Sequence, residues 1–392
     1  MRKQVSFALA LSMVMTSGIA TVANAAADDG KTNVVFWNSW TGGDGDTLEA
    51  LVNKFNEESD TVHVEMTRTT SFSDMLQTSL PTGEAADLVL LSTNEITRYK
   101  SYLRSMDDIW ENTGLKEEDF SPAYLSMCYN DDTLYAIPFQ ISTYMMYYNK
   151  DLFEQAGITE EPKTWDEFKD VCQKLKDAGI TPMTMDDAYA TCVIGYHLAR
   201  LVGEDKVKEI VTEGKWDDPA VLQMAQDIEE LASNGYYSEM VGSNVWPAGQ
   251  NTELALGTAA MYLNGSWLPN EVKEMAGPDF HWGCFAYPAL TDGANGIETN
   301  NFGAQVFGVN KDTKLAKEAF DLITFITKGE YDQKLADETV GIPADTTNTE
   351  WPAMVECAKP VIEQSTNRFT WACGVESNVD MTPVIKENFI KL

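Results

Sequence analysis

The chain has 392 residues and a strong acidic excess, with 61 Asp and Glu against 28 Lys and Arg and a formal net charge of −33. Such a charge repels phosphate backbones and anionic lipid surfaces, which excludes nucleic acid as a partner. Hydrophobic residues make up 44% of the chain, so the composition is not that of a disordered protein, and the length suits two domains.

The first 25 residues have the pattern of a secretory signal peptide. Arg2 and Lys3 precede an apolar run at 5–15 that is too short to span a bilayer, which takes about 20 residues. The small residues Ala-Asn-Ala at 23–25 form the expected cleavage site. No cysteine stands near this site, so a lipoprotein anchor is not indicated. We therefore predict an exported protein, periplasmic or extracellular, whose mature chain has 26 basic and 61 acidic residues and a formal charge of −35.

Strand and helix patterns alternate along the mature chain. Apolar spacing predicts strands at 33–37, 62–66, 86–91, 145–148 and 259–263, and helices at 46–57, 73–80, 151–156, 164–177 and 382–390. The helix at 164–177 has a capping box, with Thr164 at its start and Glu167 three residues on. This alternation predicts an α/β fold with a largely parallel sheet.

Five short motifs follow one another in the chain. They are WNSW at 37–40, GEAADLV at 83–89, the pair YNKDLF and PKTWDEF at 148–153 and 162–168, NGSW at 264–267, and a strand with an amphipathic helix at 302–325. In this order they resemble the solute-binding proteins that serve bacterial ABC importers, and in particular the carbohydrate-binding, maltose-binding-protein-like branch of that family. The resemblance covers nearly the whole chain after the leader.

The resemblance implies a two-lobed, periplasmic-binding-protein-like fold of type II, in which two α/β lobes share a hinge that the chain crosses several times. Lobe one is then expected to hold 33–139 and 302–328, and lobe two 142–299 and 331–392. The crossings are expected near 139–142, 299–302 and 328–331. Ligands of open α/β sheets bind at the carboxyl ends of strands, so a cleft between the lobes is the expected site.

The implied function is capture of a mono- or oligosaccharide and its delivery to the permease subunits of the importer, by a monomer without cofactor or metal. Aromatic rings suit the apolar face of a sugar, and carboxylates and amides suit its hydroxyls. Trp267, which ends the NGSW motif, is the first candidate for a stacking platform. The full set of expected ligand-binding residues is Trp40, Thr41, Ser92, Asn94, Gln140, Ser142, Asp187, Tyr189, Trp246, Asn264, Trp267, Gln305 and Trp371.

The first ligand loop departs from the maltose-binding pattern. Residues 41–43 are Thr-Gly-Gly, where that branch has an acid and a base that hydrogen-bond sugar. The departure argues against maltose itself and leaves the carbohydrate class standing.

Other functions remain open at this level. A glycosidase needs two carboxylates roughly 5 to 10 Å apart, but no motif marks such a pair among 61 acidic residues. A ferric-ion carrier of related fold uses adjacent tyrosines, which occur here at 147–148 and 236–237. The acidic charge is compatible with a polyamine or an amino-acid-like solute. A surface protein that binds glycans without transporting them is a further alternative.

Six cysteines, at 128, 172, 192, 284, 357 and 373, all lie in the part predicted to be exported. Disulfides are permitted there, although six cysteines allow 15 pairings and the spacing selects none. Cys357 with Cys373 is the first pair to test. The alternative is that the cysteines are buried free thiols that pack as small apolar side chains.

Overall fold

A computed structural model describes residues 30–40, 42–244, 248–378 and 380–391. The predicted signal peptide and two of the predicted ligand-binding residues, Thr41 and Trp246, lie outside these residues. The strands are β1 (Thr32–Asn38), β2 (Val62–Arg68), β3 (Leu88–Ser92), β4 (Tyr129–Asn130), β5 (Thr133–Leu134), β6 (Ala136–Asn149), β7 (Thr181–Thr184), β8 (Ala259–Gly265), β9 (Trp282–Phe285), β10 (Thr299–Val309), β11 (Ile342–Pro343) and β12 (Asn367–Phe369).

The α-helices are α1 (Gly42–Glu58), α2 (Phe72–Ser79), α3 (Ile96–Tyr99), α4 (Ile109–Asn112), α5 (Pro122–Ser126), α6 (Lys150–Gln155), α7 (Trp165–Asp177), α8 (Ala190–Val202), α9 (Glu204–Glu213), α10 (Pro219–Ser233), α11 (Ala248–Ala255), α12 (Leu268–Ala276), α13 (Ala316–Thr327), α14 (Gly329–Thr339), α15 (Lys359–Gln364) and α16 (Thr382–Ile390). Short 3-10 helices occupy Glu117–Asp119, Glu356–Ala358 and Trp371–Ser377. No helix in the described part of the chain is long and apolar enough to cross a membrane.

One mixed sheet runs through the molecule in the strand order β2-β1-β3-β10-β6-β8-β7. Its outer neighbours are parallel, β1 with β2 and β3 at one end and β7 with β8 at the other. In the centre, β10 is antiparallel to both β3 and β6, and β6 is antiparallel to β8. The predicted α/β class is confirmed. The prediction of a largely parallel sheet is wrong for the centre, because the two longest strands, β6 and β10, run through it in opposite directions.

Buried apolar side chains form two separate cores, which define the two lobes. The lobe-one core contains residues of β1, β2, β3, α1, α13 and most of β10, with Phe36 and Phe307 among them. The lobe-two core contains residues of α7, α8, β8 and β9. Strand β6 belongs to both cores, since Ile141 packs in the first and Tyr144 in the second. The sheet is therefore shared, while the apolar packing is divided.

The capping box predicted at the start of α7 is present. The Glu167 backbone N–H donates to Thr164 Oγ1 at 3.3 Å, and the Thr164 N–H donates to the Glu167 carboxylate at 3.0 Å. These bonds satisfy two of the N–H groups that a helix start leaves without partners. The helix then buries Trp165, Phe168 and Leu175 in the lobe-two core.

The last crossing between the lobes lies further along the chain than predicted. Helix α14, which the prediction places in lobe two, packs against α1 and α13 and contributes Leu335 to the lobe-one core. The chain remains there as far as Val355, and Ala358 is already part of the lobe-two core. The predicted crossing near 328–331 is wrong, because the apolar face of α14 packs on lobe one. The other predicted lobe boundaries stay predictions.

Asp332 of α14 is hydrogen-bonded to residues 344–348, in the segment that leads to this crossing. Its carboxylate accepts hydrogen bonds from the backbone N–H groups of Ala344 at 3.0 Å and Asp345 at 3.1 Å, and from Asn348 Nδ2 at 2.8 Å. The side chain is buried, and burial raises the pKa of this carboxyl to about 6.

The contribution of Asp332 to stability should therefore depend on pH. Because folding raises the pKa of this acid from 3.8 to about 6, its protonated form stabilises the native state at low pH, and that stabilisation is lost as pH rises through about 6. At about 1.4 kcal/mol per unit, the free energy of unfolding of the wild type relative to Asp332→Asn should fall by up to about 3 kcal/mol between pH 4 and pH 7. Urea unfolding of both proteins across this range measures the difference. Asp337→Asn, which removes an exposed carboxylate of the same helix, is the control, and a pH-independent difference for Asp332→Asn would contradict the prediction.

Candidate functional site

Two adjoining cavities lie between the lobes. The first has a volume of about 220 Å³ and is lined by Trp40, Asp44, Gln140, Ile141, Ser142, Ser266, Trp267, Glu271, Gln305, Thr339, Val340 and Gly341. The second has a volume of about 320 Å³ and is lined by Ser92, Thr93, Asn94, Ser142, Thr143, Trp267, Asn301, Phe302, Gly303, Ala304, Gln305 and Trp371. The cavities share Ser142, Trp267 and Gln305, so they form one continuous cleft. Its size falls in the range of small-molecule sites, roughly 300 to 1,000 Å³.

Three half-buried tryptophans from distant parts of the chain line this cleft. Trp40 comes from the loop after β1 and packs on Phe139, with ring centroids 5.4 Å apart. Trp267 and Trp371 both pack on the buried ring of Tyr144, at 6.1 and 5.2 Å. Each indole is thus held from behind by another aromatic ring and keeps part of its surface open to the cleft.

The NGSW motif builds the support for Trp267. A Cβ on Gly265 would come within 2.3 Å of the indole, so only glycine lets the ring lie against this backbone. Asn264 Oδ1 accepts a hydrogen bond from the Gly265 N–H at 2.6 Å. Ser266 is fastened to β6, because its N–H donates to the Thr143 carbonyl at 2.9 Å and its hydroxyl accepts from the Thr143 N–H at 3.3 Å. Helix α12 begins directly after Trp267.

Two carboxylates that the sequence analysis missed line the first cavity, one from each lobe. Asp44 lies in the first turn of α1 and Glu271 in the first turn of α12. Burial raises the pKa of Asp44, opposed by the charge of Lys273 and a hydrogen bond from Asn270. Burial also raises the pKa of Glu271, opposed by a hydrogen bond from Asn251 and reinforced by the charge of Asp44.

Asp44 was missed because the sequence predicts too late a start for the first helix. The helix is predicted to begin at 46, which leaves Thr-Gly-Gly at 41–43 as the whole of the first ligand loop. The structure begins α1 at Gly42, which places Asp44 on the first helical turn beside the cleft. This loop region therefore does supply an acid.

Polar residues of the crossing strands form the floor of the cleft. Gln140 on β6 lies opposite Gln305 on β10, and Ser142 follows two residues on. Gln140 Nε2 donates to Thr339 Oγ1 at 2.6 Å. Gly341 makes room for this amide, because a Cβ there would come within 2.1 Å of Nε2.

The second cavity is closed on one side by the loop that follows β3. The Ser92 hydroxyl donates to Glu95 at 3.0 Å. Asn94 Oδ1 accepts from Arg368 Nη2 at 2.7 Å, and the same guanidinium donates through Nε to the Phe302 carbonyl at 2.7 Å. Because Asn94 follows a lobe-one strand and Arg368 lies on β12 beside Phe369 of the lobe-two core, this pair links the lobes.

A second hydrogen bond links the lobes at the first cavity. Asn270 Nδ2 of α12 donates to Asp44 Oδ1 of α1 at 2.6 Å. The two links involve residues of different cavities, one in each half of the cleft. The conformation described is therefore one in which the lobes touch across the site.

The family model described as bacterial extracellular solute-binding protein matches residues 38–333, more than half of the chain. The chain belongs to this family. Among its relatives, the multiple sugar-binding protein of Streptococcus mutans is 26% identical over 312 residues, which are 74% of this chain and 70% of that protein. The sn-glycerol-3-phosphate-binding periplasmic protein of Escherichia coli is 32% identical over 175 residues, 42% of this chain and 39% of that protein.

Solved structures of solute-binding proteins have the same fold. A chitin oligosaccharide binding protein superposes with a TM-score of 0.73 over 92% of this chain and 96% of its own, at 20% identity. At that level of identity the likeness establishes the two-lobed fold alone, and the ligand of this solute-binding protein must be argued from its own cleft.

Three of the predicted site residues do not line the cleft. Asp187 is exposed and borders a surface groove beside α16. Tyr189 is buried behind Trp267, whose Nε1 donates to its hydroxyl at 3.3 Å. Asn264 is fully buried, and its amide oxygen accepts the hydrogen bond from the Gly265 N–H within the NGSW motif. Tyr189 and Asn264 thus support Trp267 in this conformation, and their direct contact with ligand stays a prediction.

Two features of the described residues that were considered as sites do not suit a sugar or an iron ion. An apolar void of about 30 Å³ inside lobe two, beside Trp165 and Met183, is too small for a sugar. Of the tyrosine pairs considered for iron, Tyr147 is completely buried in the lobe-two core and Tyr236 donates to Gln173. Within residues 30–40, 42–244, 248–378 and 380–391, no three His, Cys, Asp or Glu side chains are grouped so as to hold a metal ion.

Loss of the Asp44–Asn270 bond should open the unliganded protein. Asn270→Ala removes the donor from lobe two and leaves Asp44 in place, so the closed arrangement loses this link between the lobes. We expect a larger radius of gyration by small-angle X-ray scattering. Asn251→Ala is the matched control, because it removes an amide that donates to Glu271 within lobe two, at 2.9 Å. Equal radii for Asn270→Ala and the wild type would show that the bond does not hold the lobes together.

Proposed function

We propose that this solute-binding protein captures an uncharged mono- or oligosaccharide between its lobes and delivers it to the membrane permease of an ABC importer. The observation that supports this most directly is the composition of the cleft. Three tryptophans are set among short polar side chains and two carboxylates, with contributions from both lobes. A sugar uses both kinds of surface, since its C–H faces pack on the indoles and its hydroxyls bond to the polar groups.

The tryptophans suit the apolar faces of sugar rings. A large rigid ring buries area against C–H groups with little loss of side-chain entropy. Trp267 borders both cavities, so it is placed to contact rings on either side, whereas Trp40 and Trp371 each serve one cavity. This spacing favours a ligand of more than one ring.

The polar groups suit hydroxyls, which both donate and accept hydrogen bonds. Asp44 and Glu271 accept, while Gln140, Gln305 and Asn94 can do either. Because these residues come from both lobes, a ligand that reaches all of them is held fully only when the lobes are together. Binding would then shift the population from open to closed.

The charge of the cleft restricts the ligand further. Asp44 and Glu271 line it, and among the described residues that line either cavity there is no Lys or Arg. A phosphate or uronate would meet two carboxylates without a compensating cation at the cavity surface. The proposal is therefore for an uncharged sugar, in contrast to the glycerol phosphate named for the Escherichia coli relative.

A solute that carries an ammonium group is the second candidate. The specific observation in its favour is the same pair of carboxylates, which face the first cavity from opposite lobes. An amino sugar would combine the two chemistries. A simple polyamine can also pack on the tryptophan faces through its cations, but it has no hydroxyls for the amides and hydroxyls of the cleft.

The protein's work is binding, and no chemical step is proposed at the cleft. Its family consists of extracellular solute-binding proteins. A permease partner, a monomeric state and export through the predicted signal peptide complete the proposal. The alternative of a glycosidase makes a distinct prediction, because incubation of an oligosaccharide with the protein would then yield shorter products.

A thermal-shift screen of residues 26–392 tests the ligand class. Ligands that bind only the native state raise the melting temperature, so neutral oligosaccharides should stabilise the protein more than sugar phosphates, uronates, polyamines or ferric citrate. For the best sugar, Trp267→Ala should weaken binding at least tenfold, about 1.4 kcal/mol, by calorimetry. Trp216→Ala, which changes a tryptophan away from the cleft, is the control. Stabilisation by polyamines or iron alone would overturn the proposal.

Removal of the cleft carboxylates should relax the discrimination against anions. The wild type is expected to bind a neutral oligosaccharide much more tightly than the same sugar with a uronate in place of one hydroxymethyl group. The double variant Asp44→Asn, Glu271→Gln keeps similar shapes and removes both charges, so the ratio of the two Kd values should fall at least fivefold. Glu274→Gln, which changes an exposed carboxylate of α12 outside both cavities, should leave the ratio as it is. An unchanged ratio in the double variant would show that the two carboxylates do not set the selectivity.

A further inference from the structure

Two cysteines from distant parts of the chain lie on elements that pack against each other in lobe two. Cys284 lies on β9, which is paired with β6, and Cys357 lies in the 3-10 helix Glu356–Ala358 that packs on β9. Interaction with the Cys357 side chain adds to burial in raising the pKa of the Cys284 thiol, while the Cys357 thiol donates to the Met354 carbonyl at 3.9 Å. Cys284 is paired with Tyr147 of β6. The sulfurs are unbonded in this structure, where all six cysteines are free thiols.

The position of this pair in the fold is specific. Cys357 lies between Val355, which packs in the lobe-one core, and Ala358, which packs in the lobe-two core. It therefore stands at the last crossing between the lobes. Its side chain is only partly buried, whereas Cys284 is 2% exposed.

The other cysteines are less suited to pairing. Cys192 and Cys373 are neighbours in the core, but the thiol of Cys192 is engaged with Tyr196, Tyr144 and a backbone group. Both are fully buried. Cys373, the partner first considered for Cys357, lies in the short helix after β12, on a backbone with a φ of 48°.

We propose that Cys284 and Cys357 form a disulfide in the exported protein, and that this disulfide fixes the last inter-lobe crossing to lobe two. The packing of the 3-10 helix that holds Cys357 on the strand that holds Cys284, the access of solvent to Cys357 and the location of the pair at the crossing carry the proposal. It does not depend on which solute the cleft binds.

The chemistry is thiol–disulfide exchange with an oxidising disulfide, such as that of a thiol oxidoreductase or of oxidised glutathione. The Cys357 sulfur gives up its proton and attacks one sulfur of the oxidant, and the other sulfur leaves as a thiolate. Cys284 then loses its proton and attacks Cys357, which releases the second thiol. Two electrons and two protons pass to the oxidant. Burial raises the pKa of the Cys284 thiol, so Cys357 is the first nucleophile.

The link closes a long loop of chain, from β9 to the crossing. Such a constraint reduces the freedom of the unfolded chain more than that of the native state, which stabilises the fold. It also confines hinge bending to the segment before Cys357. The reduced protein should therefore be both less stable and looser at the crossing.

The test begins with the wild-type protein, residues 26–392, incubated with oxidised glutathione and then digested without reductant. Mass spectrometry should find the peptide that contains Cys284 joined to the peptide that contains Cys357. A link from Cys357 to Cys373 or Cys192 instead, or Cys357 that carries only glutathione after prolonged incubation while Cys284 remains a thiol, would overturn the proposal.

A stability measurement provides the second arm. The oxidised wild type should lose several degrees of melting temperature on addition of dithiothreitol. Cys357→Ala should abolish this loss, while Cys373→Ala, which removes the alternative partner, should retain it. If Cys373→Ala abolished the dependence on reductant and Cys357→Ala kept it, the assignment of the pair would be wrong.

Discussion

The antiparallel pairing of β6 and β10 is the constraint on which the rest of the structure depends. Strand β6 contributes to both cores, and β10 pairs with it across the boundary between them, with Asn301 opposite Tyr144 and Ala304 opposite Ile141. A one-residue slip of this register would turn every side chain of the shifted strand to the other face of the sheet. The pairing therefore fixes which side chains form the cleft floor and how the two cores are placed around it.

The cleft walls follow from elements attached to these strands. Strand β8 pairs with β6 in lobe two and ends in the NGSW turn, where glycine lets Trp267 lie against the backbone. Strand β3 pairs with β10 in lobe one and ends at Ser92. The carboxyl ends of strands thus meet at the cleft, as open α/β sheets require. Each of the three tryptophans rests on another aromatic ring, so the stacking surface is preorganised by the cores.

The acidic character of the chain has two separate consequences. Over most of the surface it favours solubility and opposes binding to phosphate-rich partners. Among the described residues that line the cleft, the acidic ones are Asp44 and Glu271, which face the same cavity from different lobes and whose pKa values burial raises. The same pair borders the Asp44–Asn270 link, so ligand selectivity and lobe closure share one set of contacts. The Cys284–Cys357 pair acts elsewhere, at the last crossing.

The sequence by itself determined the local elements and the motifs. Apolar spacing and the capping box at Thr164 predicted the α/β class, and the order of the five sequence motifs predicted Trp267 as a stacking residue. These features depend on residues that are close together in the chain. Tertiary structure decided what depends on contacts between distant segments. It placed α14 on lobe one, turned Tyr189 and Asn264 into supports for Trp267, and brought Asp44 and Glu271 to one cavity. Hydrophobic periodicity gives the buried face of a helix, but not the core on which that face packs.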